Sequence, residues 1–366
     1  MPDTRTDYFE TIVIGGGQTG LTVGYELKQR GVDFVILDAN GRVGDAWRKR
    51  WDSLLLFTPA RYNGLPGMPF PAKGDTFITK DELAAYLERY AEVNDLPVRS
   101  NTRVSRLSHD GDTYVVEAGG RELRSTNIVV AMANYQIPHV PDFAPDLDPG
   151  ILQMHSAQYQ RPSQLADGPV LVVGLGNSGA DIGLELAHDR ETYIAGTPGP
   201  VIPFRIEPWL GRNVSVRLVR FMAVKVLNTG TFIGRKARPK MMQHTGGPIV
   251  RVKPKDLVEA SAHRVGRVVG VQNGLPLLDD GTVVNVANVV WCTGFRQGFD
   301  WIDLPVFDEA GHPIHQRGIV ASQPGFYFCG LFFLHALWSE TLSGMPTDAR
   351  HIADHLATRQ QEAMAR

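Results

Sequence analysis

Two glycine-rich turns, far apart in the chain, constrain its fold more than any other feature. The first is TIVIGGGQTG at residues 11–20, and the second is VLVVGLGNSGADIG at residues 170–183. Each follows a short apolar run and leads into a helical pattern. A buried strand, a tight turn and a helix N-terminus in this order form the site that binds a dinucleotide pyrophosphate. Two such turns predict an α/β protein with two Rossmann-like dinucleotide-binding domains.

The first turn has the full GxGxxG spacing at Gly15, Gly17 and Gly20. In this motif the first glycine allows the tight turn, the second lets the backbone approach phosphate, and the third lets the helix pack against the strand. A strand predicted at residues 34–37 ends in Asp38, where a carboxylate can accept hydrogen bonds from ribose hydroxyls. The complete unit indicates nucleotide binding rather than a purely structural βαβ unit.

The second turn repeats the spacing at Gly174, Gly176 and Gly179. The strand that follows it, at residues 191–195, runs into Gly196 without a terminal acid. A missing carboxylate favours a nucleotide that carries a 2′-phosphate. Arg205 is the nearest downstream arginine, and the choice between NADPH and NADH stays open.

The C-terminal part of the chain predicts that the second unit is an insertion. GFYFCG at residues 325–330 is typical of a last buried strand, and a terminal helix is predicted over residues 343–357. Both would complete the first domain. We therefore expect one domain at 1–165 and 290–366 and the other at 166–289.

Charge is balanced overall but concentrated in one block. The formal net charge is −2, which argues against nucleic acid as a partner. Residues 208–255 contain eleven Lys and Arg and no Asp or Glu, and residues 214–227 have helical periodicity. The block is either a solvated basic face, an attractor of an anionic nucleotide or acidic substrate, or a surface at 212–240 that touches an anionic membrane. We favour the nucleotide.

Cysteine and histidine patterns exclude several chemistries. Cys292 and Cys329 are the only cysteines and form no CxxC, which indicates a reducing compartment and no dithiol reductase. The histidines lack metal-ligand spacing, so no metal is expected. The leader is too polar for a signal peptide and no apolar run is long enough to span a membrane, so we expect a cytoplasmic protein.

Several segments resemble the flavin-containing monooxygenase family, the class B flavoprotein monooxygenases, over nearly the whole chain. GGGQTG with Asp38 resembles their FAD fingerprint, VGLGNSGADIGLELA their NADPH fingerprint, and VWCTGFR their late ATGYR segment. WRKRWDSLLLFTPARYNGLPGMPFP, at residues 47–71, is similar to the YUCCA-type branch and its bacterial relatives. The resemblance implies a glutathione-reductase-like fold in which the NADP domain is inserted in the FAD domain.

The resemblance also implies site residues. Trp47 takes the place of a tryptophan beside the flavin. The residues expected at FAD are Gly15, Gly17, Gln18, Thr19, Gly20, Asp38, Trp47, Thr58, Val104, Ala131 and Gly330. Those expected at NADPH are Gly174, Gly176, Asn177, Ser178, Gly179 and Arg205. Tyr62, Phe333 and Trp338 are candidates for an apolar substrate pocket, with core packing as the alternative.

One family pattern is altered here. FxGxxxHxxx(Y/F) appears as DPGILQMHSAQY, with Asp148 where the family has Phe and one extra residue before His155. His155 is either a domain-junction residue or a hydrogen-bonded linker histidine. Gly330 is followed by Leu331 rather than by the Asp of disulfide reductases, which agrees with the missing CxxC.

The resemblance implies a mechanism in which NADPH reduces FAD and the flavin takes up O2 as a C4a-peroxide. One oxygen atom then passes to a small apolar or aromatic substrate. The chemistry belongs to the cofactor, so no catalytic side chain is assigned. An NAD(P)H-dependent flavin reductase or oxidase and a non-catalytic escort protein are the alternatives, and a homodimer is expected.

Overall fold

The computed structural model describes residues 7–242 and 247–365. Its strands, in chain order, are β1 Asp7–Ile14, β2 Phe34–Leu37, β3 Leu55–Pro59, β4 Phe77–Thr79, β5 Val98–Arg99, β6 Val104–Asp110, β7 Thr113–Ala118, β8 Arg121–Val130, β9 Ile137–Pro138, β10 Leu152–His155, β11 Val170–Val173, β12 Thr192–Ala195, β13 His263–Val265, β14 Val268–Gln272, β15 Leu275–Leu278, β16 Asn288–Trp291, β17 Phe295–Arg296 and β18 Phe326–Phe328. Its α-helices are α1 Gln18–Lys28, α2 Asp45–Arg48, α3 Lys80–Val93, α4 Asn177–Ala187, α5 Val216–Phe221, α6 Phe232–Met242, α7 Pro254–Glu259 and α8 Met345–Met364.

The first sheet has the order β5-β2-β1-β8-β7-β6, and β18 pairs with β8. β1 lies parallel to both neighbours, with Ile12 opposite Val35 and Ile128. Ile12 and Val13 are fully buried because both faces of the sheet are covered, as a continuous apolar strand predicts. α1 and α8 pack together on one face. The predicted strand at 325–330 and the predicted terminal helix are confirmed as β18 and α8.

The second sheet is parallel, with the order β10-β16-β11-β12-β13. The chain enters it after β8 and returns to the first sheet at β18, which is the topology of an insertion. The second sheet also extends past both predicted limits of 166–289. Leu152–His155 pair residue by residue with Asn288–Trp291. A four-residue strand with half-buried side chains carries too weak a pattern to be separated from a linker.

The sequence predicts the start of α3 correctly but misses α7. Thr79 followed by Glu82 predicts a capping box at the start of α3. The structure confirms it, since Glu82 N donates to Thr79 Oγ1 over 3.1 Å and Thr79 N donates to Glu82 Oε2 over 2.8 Å. The sequence pattern of residues 256–261 predicts a strand, and this prediction is wrong. Pro254 begins α7 there, and Lys253 N donates to Asp256 Oδ2 over 2.7 Å. Proline at the first helical position and an acid in the first turn favour that helix start.

The helix predicted over residues 214–227 is present as a longer rod. It runs over residues 209–226, where α5 is flanked by the π-helical turns Gly211–Ser215 and Met222–Val226. We call this rod the outer helix. It lies over the first domain, where Arg61 Nη2 donates to Asn213 Oδ1 over 2.7 Å.

Candidate functional site

The first glycine turn forms an open cradle at the N-terminus of α1. Gly15 has φ +107° and its amide donates to Leu37 O over 2.8 Å. A Cβ on Gly20 would lie 1.8 Å from the Gly15 carbonyl oxygen, so only glycine fits there. A Cβ on Gly17 would meet nothing within 4 Å, and Gly17 caps α1 without a side-chain hydrogen bond. The helix N-terminus therefore faces open space, as an anion site requires.

The second glycine turn repeats this geometry at α4. Gly174 has φ +105° and its amide donates to Ala195 O over 2.9 Å. A Cβ on Gly179 would lie 1.8 Å from Gly174 O, and one on Gly176 would meet nothing. Asn177, just inside α4, donates from Nδ2 to Pro248 O over 2.9 Å and accepts from Val250 N over 3.0 Å. The two cradles fit two dinucleotides.

Asp38 lies beside the first cradle, at the end of β2. Its Oδ1 accepts from Asn40 N over 2.7 Å and from Asn40 Nδ2 over 3.0 Å. Its Oδ2 faces Gly16, where a Cβ would lie 2.5 Å away. This position beside the first cradle agrees with the expected contact between Asp38 and a ribose diol. Thr102 N donates to Asp38 O over 2.7 Å and brings the start of β6, at Val104, close to the same strand end.

The other predicted FAD residues converge on the N-terminus of α1. Trp47 Nε1 donates to Gln18 Oε1 over 3.1 Å. Thr19 is buried, and a Cβ on Gly330 would lie 2.7 Å from its hydroxyl oxygen. Ala131 N donates to Ile14 O over 2.9 Å, next to the first turn. Residues from four separate segments therefore line one region.

The hydroxyl of Thr58, another residue expected at FAD, is already paired within the protein. Thr58 Oγ1 donates to Asn63 Oδ1 over 2.5 Å, and Asn63 Nδ2 donates to Thr58 O over 2.9 Å. Asn63 is fully buried and was not singled out from the sequence. The pair braces the turn that carries Tyr62.

Two of the three substrate-pocket candidates, Tyr62 and Trp338, each lie beside the turn at Ser343 and Gly344. Tyr62 O accepts from Ser343 Oγ over 3.1 Å, and a Cβ on Gly344 would lie 1.9 Å from Trp338 O. Tyr62 and Trp338 are both half-buried, and the guanidinium carbon of Arg220 lies 5.2 Å from the centroid of the Tyr62 ring. Phe333 is fully buried, so the core-packing alternative describes it better than a pocket wall.

A cavity of about 120 Å³ lies at the N-terminus of α8, and it was not anticipated. Asp348 lines it together with Lys225, His335 and Ser339. Only 1% of Asp348 is exposed, and Ser339 is the hydroxyl residue beside its carboxylate. Burial raises the pKa of Asp348 to about 6. The sequence around it, SGMPTDAR, contains no signal for a buried acid.

The junction between the two domains carries a second polar cluster. Tyr135 OH donates to Glu340 Oε2 over 3.0 Å, and burial raises the pKa of Glu340 to about 7. The rings of Tyr135 and Phe295 meet edge-on, with 5.9 Å between their centroids. The guanidinium carbon of Arg50 lies 5.7 Å from the centroid of the Phe295 ring. The cluster joins the first domain to the segment that follows β16.

His155 belongs to the same junction. Its Nε2 donates to Gly294 O over 3.0 Å, and Ala157 N donates to its Nδ1 over 3.1 Å. This pair of bonds requires a neutral ring, and burial lowers the pKa of His155. His155 is thus hydrogen-bonded and also joins β10 to the segment after β16.

Two arginines, Arg205 and Arg264, lie at different places around the second cradle. Arg205 is paired with Asp256, with 2.7 Å between Nη1 and Oδ2, and lines a cavity with Leu184, far along α4. Arg264 instead reaches the end of β12, where its Nη2 donates to Gly196 O over 3.3 Å. Sequence reasoning missed Arg264 because its position depends on the pairing of β13 with β12.

Both cysteines, Cys292 and Cys329, are free and buried. Burial raises the pKa of Cys292 to about 12 and that of Cys329 well above its ordinary value, so both thiols stay protonated. The described residues contain no cluster of metal-ligand side chains. Every helix in those residues is also too short or too polar to cross a bilayer.

Comparisons with known proteins cover nearly the whole chain. The family model described as pyridine nucleotide-disulphide oxidoreductase matches residues 12–200. An uncharacterised CzcO-like oxidoreductase of Geobacillus kaustophilus is 36% identical, over 95% of this chain and 98% of the relative. Indole-3-pyruvate monooxygenase YUCCA1 of rice is 28% identical, over 84% of this chain and 81% of the relative. A flavin-containing monooxygenase from Stenotrophomonas maltophilia matches in structure with a TM-score of 0.77 at 26% identity, covering 97% of this chain and 99% of that chain.

Proposed function

Because this chain belongs to the pyridine nucleotide-disulphide oxidoreductase family and, within it, to the flavin-containing monooxygenases, we propose that it binds FAD and NADPH and oxygenates a small apolar or aromatic substrate. One atom of O2 enters the substrate and the other leaves as water, and NADPH supplies the two electrons. The protein is a flavin-dependent oxidoreductase of the monooxygenase type.

The duplicated glycine cradle carries this proposal. In both cradles a Cβ on the third glycine, Gly20 or Gly179, would lie 1.8 Å from the carbonyl oxygen of the first. In both, the second glycine faces open space in front of a helix. An escort protein that used the fold only as a scaffold would have no need of two open anion sites. Both cysteines are buried and form no CxxC, which argues against a dithiol that reduces disulfides.

The chain's own residues have clear tasks. The amides at Gly15 to Gly17 would hold the FAD pyrophosphate, Asp38 its ribose, and Gly174 to Gly176 the NADPH pyrophosphate. Bound FAD supplies the hydride acceptor and the activation of oxygen. Tyr135 and Glu340 form a polar pair at the junction, and with a pKa of about 7 Glu340 can hold or release a proton at its carboxyl oxygen near neutrality. Tyr62 and Trp338 provide apolar surface beside this region.

The test is a coupling measurement on the purified holoprotein. We expect bound FAD, anaerobic reduction by NADPH, and, after oxygen is admitted, an oxygenated product in amounts that approach the NADPH consumed. Indole-3-pyruvate is the first substrate to try, since the rice relative is named for it. Absence of bound flavin would refute both enzyme hypotheses. Conversion of all NADPH to hydrogen peroxide, with every apolar and aromatic substrate tried, would favour the oxidase alternative.

Two further expectations remain proposals. A homodimer is checked by light scattering of the purified protein. A cytoplasmic location is checked by cell fractionation.

A further inference from the structure

The outer helix presents its large apolar side chains to solvent. The exposed fractions are 69% for Trp209, 61% for Leu210, 62% for Leu218 and 55% for Phe221, and Val214 and Met222 are exposed as well. The buried side of the helix carries the small or medium residues Gly211, Val216 and Ala223. This arrangement is the reverse of an ordinary surface helix, whose large apolar residues face the core.

The exposed apolar surface continues onto the next helix. Phe232 and Ile233, at the start of α6, are 72% and 56% exposed. Isolated exposed hydrophobic residues are common, but a contiguous group of this kind marks an interaction surface.

Cations surround this surface. Arg217 and Lys225 are exposed on the outer helix, and Arg235 and Lys236 are exposed on α6. The whole segment 208–255 has eleven Lys and Arg and no Asp or Glu. The partner must therefore offer both apolar area and negative charge.

We propose that the outer helix and the start of α6 bind the surface of an anionic lipid bilayer. Aromatic and aliphatic side chains beside Lys and Arg are the composition of helices that lie in the membrane interface. Each basic residue near an anionic surface adds to the attraction. The helices of the described residues are too short or too polar to span a bilayer, so the contact lies on the membrane and does not cross it.

A second copy of the chain is a poorer occupant. A two-fold symmetric interface places the same patch of each subunit against the other. Here that contact would bring two cationic blocks together with no carboxylate from the same segment to neutralise them. Charge therefore favours lipid over self-association.

The inner side of the outer helix touches the candidate substrate pocket. Arg220 lies over the Tyr62 ring, and Arg212 lies 5.6 Å from the centroid of Phe77. A bilayer on the outer side would lie next to the wall formed by Tyr62. This consequence, which rests on the proposed function, would give apolar substrates dissolved in the membrane a short route to the site.

The test is flotation of the holoprotein with lipid vesicles. Vesicles of phosphatidylcholine alone are compared with vesicles of phosphatidylcholine and phosphatidylglycerol. We expect binding to the anionic vesicles only, weakened by salt, and reduced roughly tenfold or more in a Leu218→Glu, Phe221→Glu double variant. Val269→Glu is the matched control, because Val269 is 53% exposed on β14, outside the surface, and should leave binding unchanged.

A second variant tests the charge separately. Arg217→Glu with Lys225→Glu should also lose binding to anionic vesicles, while bound flavin and the thermal melting temperature report intact folding. Failure of the wild-type protein to bind anionic vesicles, or equal binding to neutral ones, would overturn the proposal. A wild-type dimer that the Leu218→Glu, Phe221→Glu variant converts to monomer would assign the surface to self-association instead.

Discussion

The two dinucleotide cradles of this protein are alike at the pyrophosphate turn and different at the ribose end. Gly15 and Gly174 have nearly the same φ, and Gly20 and Gly179 make the same close approach. Beyond the turns, the first unit has Asp38 and the second has Gly196 with Arg264 beside it. The pyrophosphate turn depends on its first and third glycines, which are close together in the chain, because no other residue fits their positions. The ribose end depends on residues that different strands bring together. Variants can therefore separate what the cradles share from what they do not.

The largest effect is expected from the third glycine of each motif. Gly20→Ala would place Cβ 1.8 Å from Gly15 O, and Gly179→Ala would do the same at Gly174 O. Because the obstructing atom is backbone, we expect each variant to lose at least about 3 kcal/mol of unfolding free energy. Urea unfolding measures this. If either variant is nearly as stable as the wild-type protein, its helix, α1 or α4, can move away from the turn. The close contact would then not be a requirement that the two cradles share.

The second glycine separates binding from folding. Gly17→Ala and Gly176→Ala add a Cβ that meets no protein atom within 4 Å, at φ −76° and −95°. Stability of the cofactor-free protein should change by no more than about 0.5 kcal/mol. The added methyl would occupy the space of a pyrophosphate, so affinity should fall roughly a hundredfold, for FAD in the first variant and for NADPH in the second.

Titration with each nucleotide checks that prediction, and each variant serves as the control for the other. A loss of FAD affinity in Gly176→Ala, with NADPH affinity retained, would reverse the assignment of the two cradles.

Each domain contains a buried acid with a raised pKa, Asp348 in the first and Asp181 on α4 in the second, and Asp348 should make the stability of the first domain depend on pH. Burial raises the pKa of Asp348 to about 6 from its ordinary 3.8, so the native state favours the protonated acid. The stability that this group contributes is fully present below about pH 4 and is lost as the pH rises from there through about 6, on the order of 3 kcal/mol in total and about 1 kcal/mol between pH 5 and pH 7. Asp348→Asn should remove this loss. Unfolding of holoprotein at pH 5 and pH 7 gives the comparison, and a variant whose pH dependence matches wild type would exclude Asp348 as the source.

Sequence patterns predicted the parts of the molecule that are locally determined. The strand, turn and helix units, Asp38 and the capping box of α3 all depend on residues close together in the chain. The period of the outer helix was also predicted, but not that its apolar side faces outward, because periodicity does not tell which side has a partner. The positions of Arg264 and Asp348 depend on strand pairing and on packing of distant segments. Only the folded chain brings those together.

The smallest effect concerns the ribose end of the second cradle, where sequence and structure point to different arginines. Arg264→Gln should raise the KM for NADPH about tenfold and leave that for NADH nearly unchanged, because a 2′-phosphate at the end of β12 would lie near its guanidinium. Arg205→Gln should alter neither KM by more than about twofold, since Arg205 is held by Asp256. Steady-state reduction with both nucleotides decides between them. If Arg205→Gln changes the NADPH preference and Arg264→Gln does not, the expectation from the sequence was right. The group that binds the 2′-phosphate would then be Arg205, further from the end of β12 than Arg264.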